Sequence, residues 1–598
     1  MLAVSAGARR SAVHLADLAR ANPLVQRDDS GWYRYHPLFA SVLRLKLRCE
    51  YPDRLADLHL RAAAWYRRTG ALSEAVQQAA DADAWQFAAR TVIDELAVGL
   101  LLDPPDGKPL SAGFRHMPRD ASWAEPQPLL VAAAIDFAEG RDGSSAARLG
   151  VADSMLGHCP AEEEIPSRLA ASLVRLALSR RAGDFDAAVA AVDQARILIE
   201  AIPSGQPAWH PEIRARVLSG HGAVELWSGR FDEAAALFGA GASAASSKES
   251  ESERADCLGY LALIEVLLGR LNGGAELAAE AMGGAGDDTV RPATAMSQAG
   301  EVARAFVHLE RNELPDVRLR LKHANDALRA RPDKLIGAVA SMAAARCALA
   351  EGRGKKASEI IGRARQDWSP PEWIQHRLML LDSWAYTAIA DYRSAIDTAT
   401  RAGAGSSADA TAALARTLLA SGDPQGARHA LAGVPPGDEA PGSVRLAARL
   451  VDAQLGYASG DHARGRRSLE QTLRLAEPEQ LRLPFAMERT WIRPVLRRDP
   501  ELGYRYRRLL EPGLISPGSV PAPRPGVGEA APLVVEPLSE REHEVLRHVS
   551  AMESTAEIAT AMYISVNTVK THLKSIYRKL AADHRGEAVR RARQLGLL

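Results

Sequence analysis

A helix-stop signal that returns about every forty residues constrains this chain more than any other feature. A helix closes near a glycine, a short polar turn follows, and an alanine-rich helix begins. The instances read WYRRTGALSEAV (Gly70), FAEGRDGSSAA (Gly140), SRRAGDFDAAV (Gly183), LWSGRFDEAA (Gly229), LLGRLNGGAEL (Gly269), LAEGRGKKAS (Gly352), LASGDPQGAR (Gly422) and YASGDHARGR (Gly460). A weaker copy with Asn312 fills the gap before Gly352, and IADYRSAI near Asp391 fills the next. Gly and Asn accept the left-handed backbone that ends a helix. Apolar residues recur between the stops at helical spacing, as in Leu55, Leu58, Ala62, Trp65 and Tyr66. A period of this size predicts a helical solenoid, in which each unit buries its apolar face only against its neighbours.

The pattern loosely resembles tetratricopeptide repeats, with a longer period. The expected fold class is all-α, with a TPR-like solenoid over residues 53–510, a winged-helix-like remnant over 1–52, a Pro/Gly-rich linker over 511–533 and a four-helix domain over 534–598. The linker segment EPGLISPGSVPAPRPGVGEAAPLVVEP cannot hold a helix.

Lys+Arg and Asp+Glu both number 74, so any nucleic-acid footprint must be local. The four cysteines, Cys49, Cys159, Cys257 and Cys347, lie far apart with no CxxC pair. They predict buried reduced thiols and no metal site. No apolar run approaches the ~18–20 residues that span a bilayer. Arg9, Arg10, His14, Asp17 and Arg20 interrupt the first twenty residues, which therefore lack a signal peptide's apolar core. The expected location is cytoplasmic.

Function is most legible from Leu538 to Leu598. Ser539 with Glu542, and Ser554 with Glu557, have the spacing of capping boxes opening two short helices. Val545, Leu546 and Val549 form the inner face of the first; Ile558, Ala559 and Met562 that of the second. Tyr563-Ile564-Ser565 makes a tight turn, with Ser565 capping a third helix, and two helices joined this way predict a helix-turn-helix. Along residues 566–580, Val566, Val569, Leu573, Ile576 and Leu580 form an apolar stripe. Asn567, Lys570, Thr571, Lys574 and Arg578 lie on the other side, a cationic, hydrogen-bonding edge suited to a major groove. Charge is segregated too. From Leu538 to Thr568 two basic residues face five acidic ones, a net of −3; from Val569 to Leu598 eight basic residues face two acidic ones, a net of +6. A polyanion would meet the second half first.

The strings PLSEREHEVLRHV, AEIATAMYISVNTVKTHLKSIYRKL and GEAVRRARQLGLL resemble the LuxR-type (GerE-like) DNA-binding domain over its full length. The resemblance implies that Lys570, Thr571 and Lys574 face bases, and that Ser565, Asn567, Thr568, His572 and Lys579 contact phosphates. It also implies that a fourth helix, about Gly586–Leu595, pairs two such domains on DNA. Two positions depart from the family pattern: Met552 stands where Gly is usual, and Gly586 where Thr is usual. Further upstream, ANPLVQRDDSGWYRYHPLFASVLRLKL resembles the winged-helix end of the nucleotide-binding module in large MalT-like LuxR regulators, and LPFAMERTWIRPVL resembles the end of their repeat array.

Those regulators are ATPases, but no GxxxxGK[ST] loop occurs here. The nearest string, Gly352-Arg353-Gly354-Lys355-Lys356, lacks the leading Gly and the Ser/Thr, and reads as a repeat turn. The ATPase was lost, sits on another polypeptide, or begins upstream of this reading frame. His36, a nucleotide sensor in the resembling module, reads here as a core residue. With no HExxH and no GxSxG, no enzyme and no cofactor is expected.

The reading is a sequence-specific transcription regulator. Its expected partners are double-stranded DNA, RNA polymerase, a second copy of the chain on DNA, and an inducer or protein held by the solenoid. The alternative is a repeat scaffold for protein binding with weak or vestigial DNA contact.

Overall fold

The computed structural model describes residues 8–27, 33–104, 110–119, 122–158, 164–202, 211–245, 250–283, 297–366, 368–434, 442–510, 538–550, 553–580 and scattered positions from 582 to 598. The linker 511–533, Met552 and Gly586 lie outside them. The chain divides into two compact units, Met1–Pro521 and Ala522–Leu598.

The first unit opens with the helix Ala8–Ala21, a two-stranded antiparallel hairpin (Val25–Arg27 with Tyr33–Tyr35, Val25 opposite Tyr35) and the helix Pro37–Glu50. His36 stands at the start of that last helix and is exposed, its backbone N–H donating to Leu24 O at 2.7 Å. This corrects the expectation of a core histidine: a position ahead of an N1 proline serves the turn, and its side chain points outward.

From the helix Pro52–Arg68 onward, helices come in antiparallel pairs such as Pro211–Trp227 with Phe231–Ala244 and Glu251–Leu267 with Leu271–Ala281. The eight stop glycines take φ between +76° and +89°. Asn312 does the same work at +59°, and in IADYRSAI the residue taking it is Ala390, at +62°, one place before Asp391. At four of the stops an aspartate follows and starts the next helix at once. Asp184, Asp391, Asp423 and Asp461 accept from the backbone N–H of Ala187, Ser394, Gly426 and Arg464. A two-residue signal thus ends one helix and caps the next. Pairing is close: a Cβ on Gly456 would lie 2.6 Å from Gly465 N, so Gly442–Ala458 and His462–Ala476 touch backbone to backbone.

Successive pairs bury their apolar faces against one another in a series of clusters along the array. Trp227 and Tyr260 are buried, Phe238 stacks on Tyr260 at 4.6 Å, and Trp65 and Tyr66 are half-buried. Cys257 and Cys347 are buried, and burial pushes the Cys257 thiol up to about 12, which leaves it inert at neutral pH. Cys49 is exposed, correcting the expectation for it: its helix, Pro37–Glu50, buries no residue fully. Cys159 lies outside the described residues. Gly354 of the glycine-rich string opens the helix Gly354–Ala364, where an added Cβ would sit 3.0 Å from Ala385 O.

The superhelix also binds across its own turns. Trp373 Nε1 donates to Leu226 O at 3.0 Å, Arg180 to Asp333 at 2.9 Å and Arg331 to Asp103 at 2.9 Å. Near the array's end the chain comes back to its middle. Asn272 N donates to Glu479 Oε2 at 2.8 Å, Asn272 Nδ2 to Pro478 O at 3.0 Å and Arg482 N to Glu310 O at 2.8 Å. Leu483 is buried in the same apolar cluster as Leu309. No helix among the described residues is long and apolar enough to cross a membrane.

Candidate nucleic-acid interface

The second unit is built on the helices Glu540–Ser550, Thr555–Ala561 and Val566–Lys579. Both expected capping boxes are present. Ser539 N donates to Glu542 Oε2 at 2.7 Å while Glu542 N donates to Ser539 Oγ at 3.3 Å. Ser554 N donates to Glu557 Oε2 at 2.6 Å while Glu557 N donates to Ser554 Oγ at 3.3 Å. Each box satisfies backbone donors that a helix start leaves without partners.

The turn between the second and third helices is tight. Tyr563 takes φ +54° with its side chain 97% exposed, and Ile564 N donates to Ala559 O at 3.0 Å. Ser565 then caps the third helix: Thr568 N donates to Ser565 Oγ at 3.1 Å. Val545, Leu546, Val549, Ile558, Ala559, Met562, Val569, Leu573, Ile576 and Leu580 are buried together, joined by Ala588 and Ala592 from the fourth segment. Arg585, Ala588, Val589 and Ala592 of that segment are helical. One stripe position is corrected: Val566 is 40% exposed, because at the first residue of the helix its side chain projects past the end of the packed face.

Opposite the core, Asn567, Thr568, Lys570, Thr571 and Lys574 are exposed, as is Ser565 at the cap; His572 is half-buried. Nothing is described of the Arg578 side chain. Lys570 and Lys574 form no ion pair among the described residues, so both charges are available to a partner. One helical turn separates them, about 6 Å at 1.5 Å per residue. Thr571 Oγ1 donates to Asn567 O at 3.0 Å, which holds its methyl and hydroxyl on the same edge. The helix start at Val566 adds the positive end of the helix dipole to this edge.

Two of the basic residues counted toward the cationic half are instead spent inside the domain. Lys579 Nζ donates to Glu542 Oε2 at 2.8 Å, with the lysine side chain 17% exposed. Arg585 donates to Val549 O at 3.0 Å and Glu553 O at 2.6 Å, covering carbonyls at and just beyond the end of the first helix. Charge counting cannot see this, since it records sign and not destination. Glu542 is the residue that sequence reasoning underused. It caps its own helix and also accepts from Ser575 Oγ at 2.6 Å, so it joins the first helix to the third. Burial works to raise its carboxyl, but hydrogen bonds from Lys579, Ser575 and Ser539 outweigh that and hold it at about 2. Elsewhere, among the described residues, only His308, Glu313 and Asp316 bring three potential ligand atoms within 4.8 Å of one another. His308 Nδ1 and Glu313 already share a 2.7 Å contact, and Asp316 is exposed, so the group is an ordinary surface ion pair.

Residues 536–592 match the family described as bacterial regulatory proteins, luxR family, and residues 2–55 match the MalT winged helix domain. Among curated relatives, the HTH-type transcriptional regulator MalT of Serratia proteamaculans (strain 568) is 41% identical over 59 residues, 10% of this chain and 6% of that protein. The serine/threonine-protein kinase PknK of Mycobacterium tuberculosis (strain ATCC 25618 / H37Rv) is 44% identical over 52 residues, 9% of this chain and 5% of the kinase. The chain thus covers only about a twentieth of the length of these relatives, and the kinase match is confined to the helix-turn-helix. Solved structures that overlap it are human IFIT1, a dimer with m7Gppp-AAAA (14% identity, TM-score 0.32, 71% of this chain and 92% of that one), and yeast Tom70 (12%, 0.26, 76% and 99%). The chain thus carries a LuxR-family helix-turn-helix over residues 536–592 and a MalT-type winged helix over residues 2–55.

Proposed function

We propose that this protein is a sequence-specific transcription regulator that lays the helix Val566–Lys579 in the major groove of double-stranded DNA. The observation that carries the reading is the division of that helix: one side closes the domain core, and the other leaves Lys570, Thr571 and Lys574 exposed at adjacent positions, with no ion pair among the described residues. Lysine donates to guanine O6 and N7, and a threonine methyl packs on the thymine methyl, so this edge can read bases. Ser565, Asn567, Thr568 and His572 border it and contact phosphates. Lys579 reaches a phosphate only by leaving Glu542, which makes it the weakest of these contacts. Two copies pair through the segment around residues 586–595, RNA polymerase is recruited beside them, and the solenoid acts as the sensor, binding an inducer or protein that controls access to DNA.

The test is a genome-wide map of DNA occupancy for the full chain beside the Lys570→Ala/Lys574→Ala double variant. Discrete peaks sharing a motif, and lost in the variant, are expected. Peaks that persist unchanged in the variant would refute the base-reading edge.

A further inference from the structure

Among the described residues, seven other than glycine hold a left-handed backbone: Asp83, Leu96, Glu164, Asn312, Ala390, Gln480 and Tyr563. Six have a return within the fold or little to lose. Aspartate and asparagine tolerate this region. Leu96 is buried in the core. The Glu164 carboxylate accepts from Gln127 and Ser167, and Gln480 Nε2 donates to the Glu477 carbonyl at 2.8 Å. Ala390 carries nothing past its Cβ. Tyr563 differs. It is the bulkiest of the seven and is 97% exposed, and neither its ring nor its hydroxyl has a hydrogen bond or ring contact among the described residues.

The turn explains the backbone and not the tyrosine. The helix Thr555–Ala561 closes with two hydrogen bonds: Tyr563 N donates to Thr560 O at 3.3 Å and Ile564 N to Ala559 O at 3.0 Å. This pattern needs a left-handed residue at Tyr563, and glycine supplies it at the least cost. Ile564, the residue after it, is the one that packs on the domain core. With glycine at 563 the fold would keep its turn and shed the strain. Strain kept at one position, under a large side chain that stands clear of its own domain, points to a contact made outside that domain.

We propose that the Tyr563 hydroxyl donates to a DNA phosphate at the lip of the major groove and so seats the helix Val566–Lys579. The inference rests on the DNA-reading helix proposed above and adds to it a contact from the preceding turn. A helix about 10–12 Å across fills a major groove about 12 Å wide. The turn that leads into such a helix therefore meets the sugar-phosphate wall and not the base edges. Tyrosine is a long neutral donor, and its hydroxyl is among the groups that hold DNA by phosphate oxygens. The exposed surroundings fit as well. Thr560, Ser565, Asn567 and Thr568 are small hydroxyl and amide side chains, which suit phosphate oxygens and offer a protein partner no broad apolar patch.

The test is titration of the full chain against an operator duplex and a random duplex over a salt series, beside Tyr563→Phe and Tyr563→Gly. Tyr563→Phe removes one hydrogen bond to a charged oxygen and is expected to weaken binding about threefold to tenfold on both duplexes, with base preference unchanged. The salt slope is expected to stay the same, since a neutral donor releases no counterion, which separates Tyr563 from a lysine. Methylphosphonate, placed at one backbone position at a time, is expected to find a phosphate whose neutralisation weakens the wild type at least threefold more than it weakens Tyr563→Phe. Tyr563→Gly is expected to lose at least as much affinity as Tyr563→Phe, while hydrogen exchange of residues 555–579 slows severalfold because the strain is relieved. A more stable domain that binds DNA less well is a combination that a purely structural tyrosine does not give. Unchanged binding by Tyr563→Phe, no such phosphate, or faster exchange in Tyr563→Gly overturns the proposal. So does DNA binding that survives while transcription in a purified system falls, which assigns the tyrosine to a protein partner. The random duplex keeps the two readings apart. Affinity lost there by Tyr563→Phe, with no duplex preferred by the wild type, keeps the contact and refutes sequence-specific regulation, whereas a preference that Tyr563→Phe leaves at full affinity refutes the contact alone.

Discussion

Replacing Glu542 by glutamine probes the joint that holds the DNA-binding domain together. The wild-type carboxylate sits at about 2 against its ordinary 4.5, and its side chain is only 7% exposed. A depression of about 2.5 pH units is worth about 3 kcal/mol at 1.36 kcal/mol per unit. The domain around it is thin, so solvent screens the charge, and about 1–2 kcal/mol is the better figure. Because the folded value is depressed, this stability is present in full above pH 4.5 and is lost as pH falls toward 2. Glutamine keeps the volume and one acceptor but strips the counter-charge from Lys579. At neutral pH, hydrogen exchange of peptides from residues 540–579 in the full chain should therefore speed up about tenfold, the ratio that 1.4 kcal/mol represents. Below pH 4.5 the gap between wild type and variant should close, after correction for intrinsic exchange rates. Neutral-pH protection within twofold of wild type, or a variant that retains the wild-type acid dependence, would refute the reasoning.

Other consequences are open to measurement. Lys570→Ala and Lys574→Ala should each weaken binding to an identified operator by about 1–3 kcal/mol and random DNA by much less, read by titration at fixed salt. Equal loss on both DNAs would reassign them to phosphates. Arg585→Ala uncovers the Val549 and Glu553 carbonyls and should cost the domain roughly 1–3 kcal/mol in denaturant unfolding, against no change if that arginine merely decorates the surface. Ala390→Gly should stabilise the solenoid by up to about 1 kcal/mol, since φ +62° strains an alanine and not a glycine; a lower melting temperature would show that the strain is absent.

The repeat was legible because its cause is local. Eight glycines and Asn312 stop helices by backbone conformation alone, and the aspartates after several stops cap the next helix within three residues. The capping boxes at Ser539 and Ser554 were legible for the same reason. What escaped depends on side chains meeting across long separations. Lys579 reaches Glu542 over 37 residues, Arg585 reaches Val549 over 36, and Arg331 reaches Asp103 over 228. A helical wheel sorts residues by face and a charge sum by sign, and neither says which cation folds inward. Ala390 shows the limit from the other side, because a packed array can hold an ordinary residue in a backbone region it disfavours.

The return of residues 478–482 to Asn272 and Glu310 fixes how many units this array can hold. An open array gains or loses a unit at a cost set only by nearest neighbours. Here an extra unit between residues 272 and 478 would carry the closing segment past its partners by one full step. Insertions and deletions of whole units should therefore be tolerated ahead of Asp103 and rejected from there to residue 478, since Arg331 with Asp103 and Arg180 with Asp333 close the stretch before Asn272 in the same way. Relatives sharing this clasp should keep one unit count in that stretch while differing upstream.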